Sequence, residues 1–258
     1  MNSRPPTRFE PDDRADAVGS PTPREARPYT NDGGIDSTPS DAIIKTGTTT
    51  VGLAGTDGAV LAADARASLG GQFVTNKTAR KIDPVDDRTA VAFSGSVSDA
   101  QSFVRHLRAE LSQYDLERDG RASVETAATV AGDLVRRGPY RILDLVLAGV
   151  DDEPAVYQIG GGGGVMRAPY AASGSGMQLA YGALEAAYEP GRSVAELRPI
   201  AARAVRSAAE RDTASGDGMT IATITDDDLA IERYDDLEGA VAAAEGGAAA
   251  TAENEEAI

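Results

Sequence analysis

A chain of 258 residues with 41% apolar side chains has enough material for one large domain, or two small ones, around a real core. It has no cysteine and a single histidine, His106, which excludes disulfides, thiolate metal sites and a cysteine nucleophile and leaves histidine triads and multi-histidine metal sites without their parts. A formal charge of -16 disfavours nucleic acid and anionic membranes as partners, and no metal or other cofactor is expected.

Among the 25 basic residues only Lys45, Lys77 and Lys81 are lysines. An acidic, lysine-poor surface suits a protein working in concentrated salt, where a Debye length of about 3 Å at 1 M hides self-repulsion. It equally describes a soluble acidic protein of no special habitat. No apolar run approaches the roughly 20 residues of a membrane span, and the first twenty residues lack the apolar stretch of a secretory signal, so a cytoplasmic protein is expected.

In chain order, residues 1 to about 42 carry "RPP", "PDD", "PTP" and "NDGG" with few large apolar side chains, the composition of a disordered leader. "TTTVGLAG" and "AVLAADARA" predict two strands joined by "TDG", and "TAVAFSG" a further strand. A helix from Ser98 to about Arg118 follows, with Ala100, Phe103, Val104, Leu107, Leu111 and Tyr114 on one face and a Ser98/Gln101 capping box. A second helix, Ser123 to Arg137, ends at Gly138-Pro139. "LDLVLAGVD", "PAVYQIG" and "VMRAPYAASG" return to strand, with the "GGGGG" run between the last two read as a flexible turn. Helices are expected over about 176–188 and 193–210, the latter capped by Ser193 and Glu196 and kinked or delayed by Pro199. "MTIATITDDDLAIERY" closes as a hairpin, and residues 237–258 form an Ala- and Glu-rich tail, helical in part. Strands in blocks and helices in pairs give an α+β class and disfavour a doubly wound nucleotide-binding sheet.

The junction Gly47-Thr48 carries the chemistry. A hydroxyl is a weak nucleophile until a base takes its proton, and this chain has few bases to offer. An N-terminal threonine supplies its own, because an α-amine with a pKa of about 7.7 to 8.0 accepts the hydroxyl proton near neutrality. That amine exists only once the preceding bond is cut. A dispensable leader ending in glycine, which leaves the scissile carbonyl uncrowded, is the precursor such an enzyme needs. "TTT" also serves simply as a β-branched start to a strand.

The pieces "TGTTTVG", "AADARAS", "TARKI", "FSGSVSDAQ", "YAASGSGMQLAYG" and "RDTASGDG" occur in this order, and together they resemble the β subunits of the 20S proteasome, the archaeal type most closely, from Lys45 to about Tyr234. The resemblance implies an Ntn-hydrolase fold, a four-layer αββα sandwich over 48–236, with 1–47 removed by self-cleavage and 237–258 as a tail. It implies that Thr48 is the nucleophile and new N-terminus, that Asp64 pairs with the catalytic Lys81, and that Gly95 offers its N-H to the oxyanion. It further implies that Ser175, Asp212 and Ser215 form the polar cluster around the threonine amine. A charged lysine would lower the pKa of the Thr48 hydroxyl and amine by like-charge repulsion. Asp64 and Lys81 could otherwise be an ordinary surface pair, and Gly95 a strand-to-helix turn. Two departures stand out: Asp217 intrudes where relatives often carry a second glycine, which allows a loop shift around Ser215, and the spacing between Arg66 and Lys81 is one residue longer than in many relatives, so that Lys81 is assigned by "ARKI" rather than by distance.

By the same resemblance Ala67, Ser68, Ala79, Phe93 and Val97 bind substrate. Small and apolar walls without an acid favour hydrophobic residues before the cut, a chymotrypsin-like preference; plain core is the other reading of these positions. The implied partners are proteasome α subunits and other β subunits in seven-membered rings of an α7β7β7α7 barrel, an ATP-dependent unfoldase ring, and unfolded protein substrates. Competing readings are an α-type ring subunit, a bacterial two-ring threonine protease, an Ntn amidohydrolase acting on small amides, and a binding module that keeps residues 1–47. His106 is expected on a helix surface or at an interface.

Overall fold

The computed structural model describes residues 47–140 and 142–255, so the leader expected over 1–47 lies, Gly47 apart, outside the described residues. Two five-stranded antiparallel sheets dominate. The first has the order β10-β1-β2-β11-β12, from Tyr170–Gly174, Thr49–Ala54, Gly58–Asp64, Met219–Thr225 and Leu229–Tyr234. The second has the order β5-β6-β7-β8-β9, from Ile82–Pro84, Thr89–Gly95, Leu143–Val150, Pro154–Ile159 and Val165–Arg167. A small hairpin, β3 (Ala67–Leu69) with β4 (Phe73–Asn76), stands apart from both.

The central strands are buried on both faces, and their alternation sorts side chains between layers. On β2, Val60 and Ala62 meet helices while Ala59, Leu61 and Ala63 meet the opposite sheet. On β7, Leu143, Leu145 and Leu147 face helices and Val146, Ala148 and Val150 face inward. Helices α1 (Val97–Arg118) and α2 (Val124–Arg137) cover the second sheet. Helices α3 (Met177–Ala187), α4 (Val194–Ala209) and α5 (Leu237–Glu255) cover the first. The four expected layers, helix, sheet, sheet and helix, are therefore present.

Several expectations need correction. Helix α1 is capped by Ser96, whose hydroxyl accepts from Asp99 N, so the Ser98/Gln101 box does not form; Ser96 follows the sharp turn at Gly95 and has the extended backbone a cap requires. "VMRAPYAASG" is two strands, because Pro169 cannot donate to a ladder and the chain leaves one sheet for the other there. Pro199 neither delays nor ends α4, which begins at Val194 behind the Ser193/Glu196 capping box and buries the proline ring. Strands β4 and β5 are too short and too polar to stand out in the sequence pattern. The five-glycine run is a turn, closed by Gly160 N to Gly164 O at 3.1 Å. Residues 237–255 are helical, and Ala240, Val241 and Ala244 pack against α4 and the first sheet.

Candidate active site

Sheet register assembles the site. Thr48 immediately precedes β1, whose Thr49 lies opposite Gly174 at the end of β10, while Thr50 lies opposite Ala63 on β2. The ends of three strands thus bring Thr48, Asp64 and Ser175 together, although Thr48 and Ser175 are 127 positions apart.

Two networks meet the chain at adjacent residues, one at Thr48 and one at Thr49, both of them buried. In the first, Thr48 N-H donates to Ser175 Oγ at 3.1 Å, and Ser175 Oγ donates to Asp212 Oδ2 at 2.5 Å. Ser215 Oγ donates to the same oxygen at 2.7 Å. Because the one Ser215 proton goes to Asp212, the 2.7 Å contact between Thr49 Oγ1 and Ser215 Oγ has threonine as donor. Ser175 Oγ also lies 3.4 Å from Thr48 O, a much longer contact than the one to Asp212, so the relay runs to that carboxylate.

In the second network Asp64 Oδ1 accepts from Lys81 Nζ at 2.7 Å and from Thr49 N at 2.9 Å. Its Oδ2 accepts from Gly216 N at 2.8 Å and Arg66 N at 3.1 Å. The side chains of Lys81 and Asp64 are 5% and 0% exposed, so this is a buried ion pair and not the surface pair considered above. Burial pushes the Asp64 carboxyl up, against the lowering pull of Lys81, and it pushes the Lys81 amine down.

The remaining predicted residues fall in two groups. Gly95 ends β6 with φ +114, a left-handed backbone, and a Cβ there would come within 2.3 Å of Ile142 O, so both strain and space demand glycine. It lines a cavity of about 1000 Å³ that also touches Gly47, Ser175 and Asp212. Ala67, Ser68, Ala79, Phe93 and Val97 do not line that cavity. Ala67, Ser68 and Phe93 are buried, Ala79 is half-buried and borders a smaller cavity of about 230 Å³, and Val97 is exposed on the first turn of α1. The Ser68 hydroxyl is buried with no hydrogen-bond partner among the described residues. His106 is exposed on α1, where Nδ1 lies 2.6 Å from the Tyr140 hydroxyl.

The structure adds Thr49 to the site and gives Asp217 and Arg66, seen in the sequence only as departures from the family pattern, a role. Thr49 extends the hydroxyl chain; three consecutive threonines at a strand start, with alternate side chains on opposite faces, were the available signal. Asp217 adopts φ +61 and pairs with Arg66 Nε at 2.8 Å, while Arg66 Nη1 donates to Thr213 O at 3.0 Å. This clamp fastens the 212–217 loop to the Asp64 segment, and with it in place Ser215 keeps its bond to Asp212. Among the described residues no group of three or more His, Cys, Asp or Glu side chains is arranged to hold a metal, and no helix is long and apolar enough to cross a membrane.

The four-layer αββα sandwich, with Thr48 at the head of β1, is of the Ntn-hydrolase class. The sequence profile described as "Proteasome subunit" matches residues 44–224, and the chain belongs to that family. It is 48% identical over 207 residues to "Proteasome subunit beta" of Halorhabdus utahensis, covering 80% of this chain and 88% of that one. It is 46% identical over 199 residues to "Proteasome subunit beta 2" of Haloarcula marismortui (77% and 86% of the two chains) and 44% identical over 223 residues to "Proteasome subunit beta" of Halomicrobium mukohataei (84% and 94%). The halophilic hosts of these relatives fit the acid-rich, lysine-poor composition.

Proposed function

We propose that this chain is the catalytic β subunit of a 20S proteasome, a threonine endopeptidase that removes its own leader over 1–47 and then cuts unfolded proteins. The observation that carries it is a pair of networks on adjacent threonines: Ser175–Asp212–Ser215 at the Thr48 nitrogen, and the buried Asp64–Lys81 pair at the Thr49 nitrogen.

In the precursor the Thr48 hydroxyl attacks the Gly47 carbonyl. The acyl group moves from nitrogen to oxygen as an ester, and water hydrolyses it to free the Thr48 amine. In the mature enzyme this amine takes the hydroxyl proton as the oxygen attacks a substrate carbonyl. Lys81, charged and held by Asp64, lowers the pKa of both Thr48 groups, and the Gly95 N-H faces the developing oxyanion, a donor whose loss typically costs about 2.7 to 4 kcal/mol of barrier. The protonated amine then gives its proton to the leaving amine, and an oriented water releases the acyl group. Ser175, Asp212 and Ser215 orient the amine and that water.

Ala67, Ser68, Ala79, Phe93 and Val97 receive the side chain before the cut, with a hydrophobic preference. The subunit works in the cytoplasm, in an α7β7β7α7 barrel fed by an unfoldase. Thr48→Ala tests the core of this reading: the variant should keep residues 1–47 by intact mass and cleave no reporter peptide, whereas retained peptidase activity would refute it. If basic reporters were cut faster than Leu- or Tyr-ending ones, the pocket assignment alone would fall.

A further inference from the structure

Beyond the assigned residues, the cavity beside Gly47 has a chemistry of its own. A peptide bond cut by Thr48 releases an amine that takes its proton from the Thr48 nitrogen, so the leaving segment lies on the nitrogen's side. The partner of that nitrogen, Ser175, and the next group in the relay, Asp212, both line the cavity. The cavity therefore faces the residues that follow the cut.

Its walls are apolar at Leu69, Ile142, Ile159 and Met177. Two carboxylates line it, with no lysine or arginine among the described lining residues. Asp212 is committed to the hydroxyls of Ser175 and Ser215. Asp144 is exposed near the start of β7, and its Oδ1 accepts from Gly161 N at 2.8 Å, which ties the carboxylate to the five-glycine turn. Packing does not force that whole run to be glycine, since a Cβ at Gly162 or Gly164 would meet nothing within 4 Å. A Cβ at Gly160 or Gly161 would stand 4.0 or 3.6 Å from Asp144 Oδ1, so the bare backbone at those two positions leaves the carboxylate open.

Resting on the threonine-peptidase reading above, we infer that this cavity selects the segment after the cut, with Asp144 receiving a lysine or arginine whose aliphatic stem lies on Ile142, Ile159 and Met177. Long basic side chains suit such a place because the stem is apolar and only the head is charged.

The test uses the native processed assembly and quenched peptides that share one N-terminal half and carry Arg, Leu or Glu at the first two positions after the cut. A reporter with the same half joined to an aminocoumarin, which has no peptide on the leaving side, reads hydrolysis alone. The Arg peptide should exceed the Leu peptide in kcat/KM by about 2- to 5-fold, the range of a solvent-accessible ion pair, with Glu slowest. Asp144→Asn should bring the Arg to Leu ratio towards one, and Asp144→Arg should favour Glu over Arg. Equal wild-type rates for the three peptides overturn the inference even if neither variant assembles, as does an Arg preference that survives Asp144→Asn. Failure to cut the coumarin reporter as well removes the peptidase reading and this inference with it.

Discussion

Replacing Gly47 by alanine asks whether space at the scissile bond controls leader removal. A Cβ at position 47 would stand 1.7 Å from Ala214 Cβ, 3.0 Å from Ala214 Cα and 3.1 Å from Ser175 Oγ. Carbon atoms in contact prefer about 3.5 to 4.0 Å, so the first contact alone calls for a displacement of about 2 Å. Ala214 is buried in the 212–217 loop, which the Arg66 ties hold to the Asp64 segment, so the Gly47-Thr48 peptide must yield instead. A misplacement of about 1 Å can cost 100-fold in rate, so Gly47→Ala should slow processing by at least about 100-fold. Intact mass against time after synthesis measures the precursor fraction. The double variant Gly47→Ala with Ala214→Gly removes the closest contact and should recover part of the rate. Wild-type processing in the single variant would refute the steric argument, and a double variant no faster than the single one would show that Ala214 is not the obstacle.

Three further outcomes follow from the same geometry. Asp64→Ala leaves the buried Lys81 amine uncompensated and should cost about 3 to 5 kcal/mol of stability with loss of peptidase activity, read by chemical denaturation and a reporter peptide; a loss below about 1 kcal/mol would contradict the buried pair. Asp217 tests the clamp. Its carboxyl is held below 3.8 chiefly by the hydrogen bond from Arg66, so the pair's contribution is complete above that pH and disappears as pH falls through the lower folded value. Asp217→Asn should therefore lose up to about 1 kcal/mol near neutrality and converge with wild type in acid, while Asp217→Ala should lose about 1 to 2 kcal/mol more because alanine resists the left-handed backbone. The net charge of -16 predicts a melting temperature that rises as KCl shortens the Debye length from about 10 Å at 0.1 M to about 3 Å at 1 M; full stability in dilute buffer would contradict a salt-adapted surface.

Elements with strong local signals are legible in the amino-acid sequence itself. The stripe from Ala100 to Leu111, the Ser193/Glu196 cap and the Gly138 stop are patterns within a few residues of one another, and α1, α2 and α4 form almost where those patterns place them. Where a local cue competes with tertiary context, the context prevails: the turn at Gly95 advances the α1 cap to Ser96, and Pro199 is absorbed into a helix packed on a sheet.

The same division runs through the site. Thr48, Asp64, Lys81, Ser175, Asp212 and Ser215 could be nominated from short motifs in a fixed order, because each motif shows its residue types locally. Their partnerships could not, since contacts spanning 127, 152 and 166 positions depend on how strands align across a sheet. The 212–217 loop, folded back on the strand ends, sets Ser215 within reach of Thr49, Asp217 against Arg66, and Ala214 against Gly47. Sequence by itself determined which groups are present and which elements carry them; only the tertiary structure decided which are buried, which donate to which, and where space remains, because burial and distance are properties of packed layers and not of neighbours along a chain.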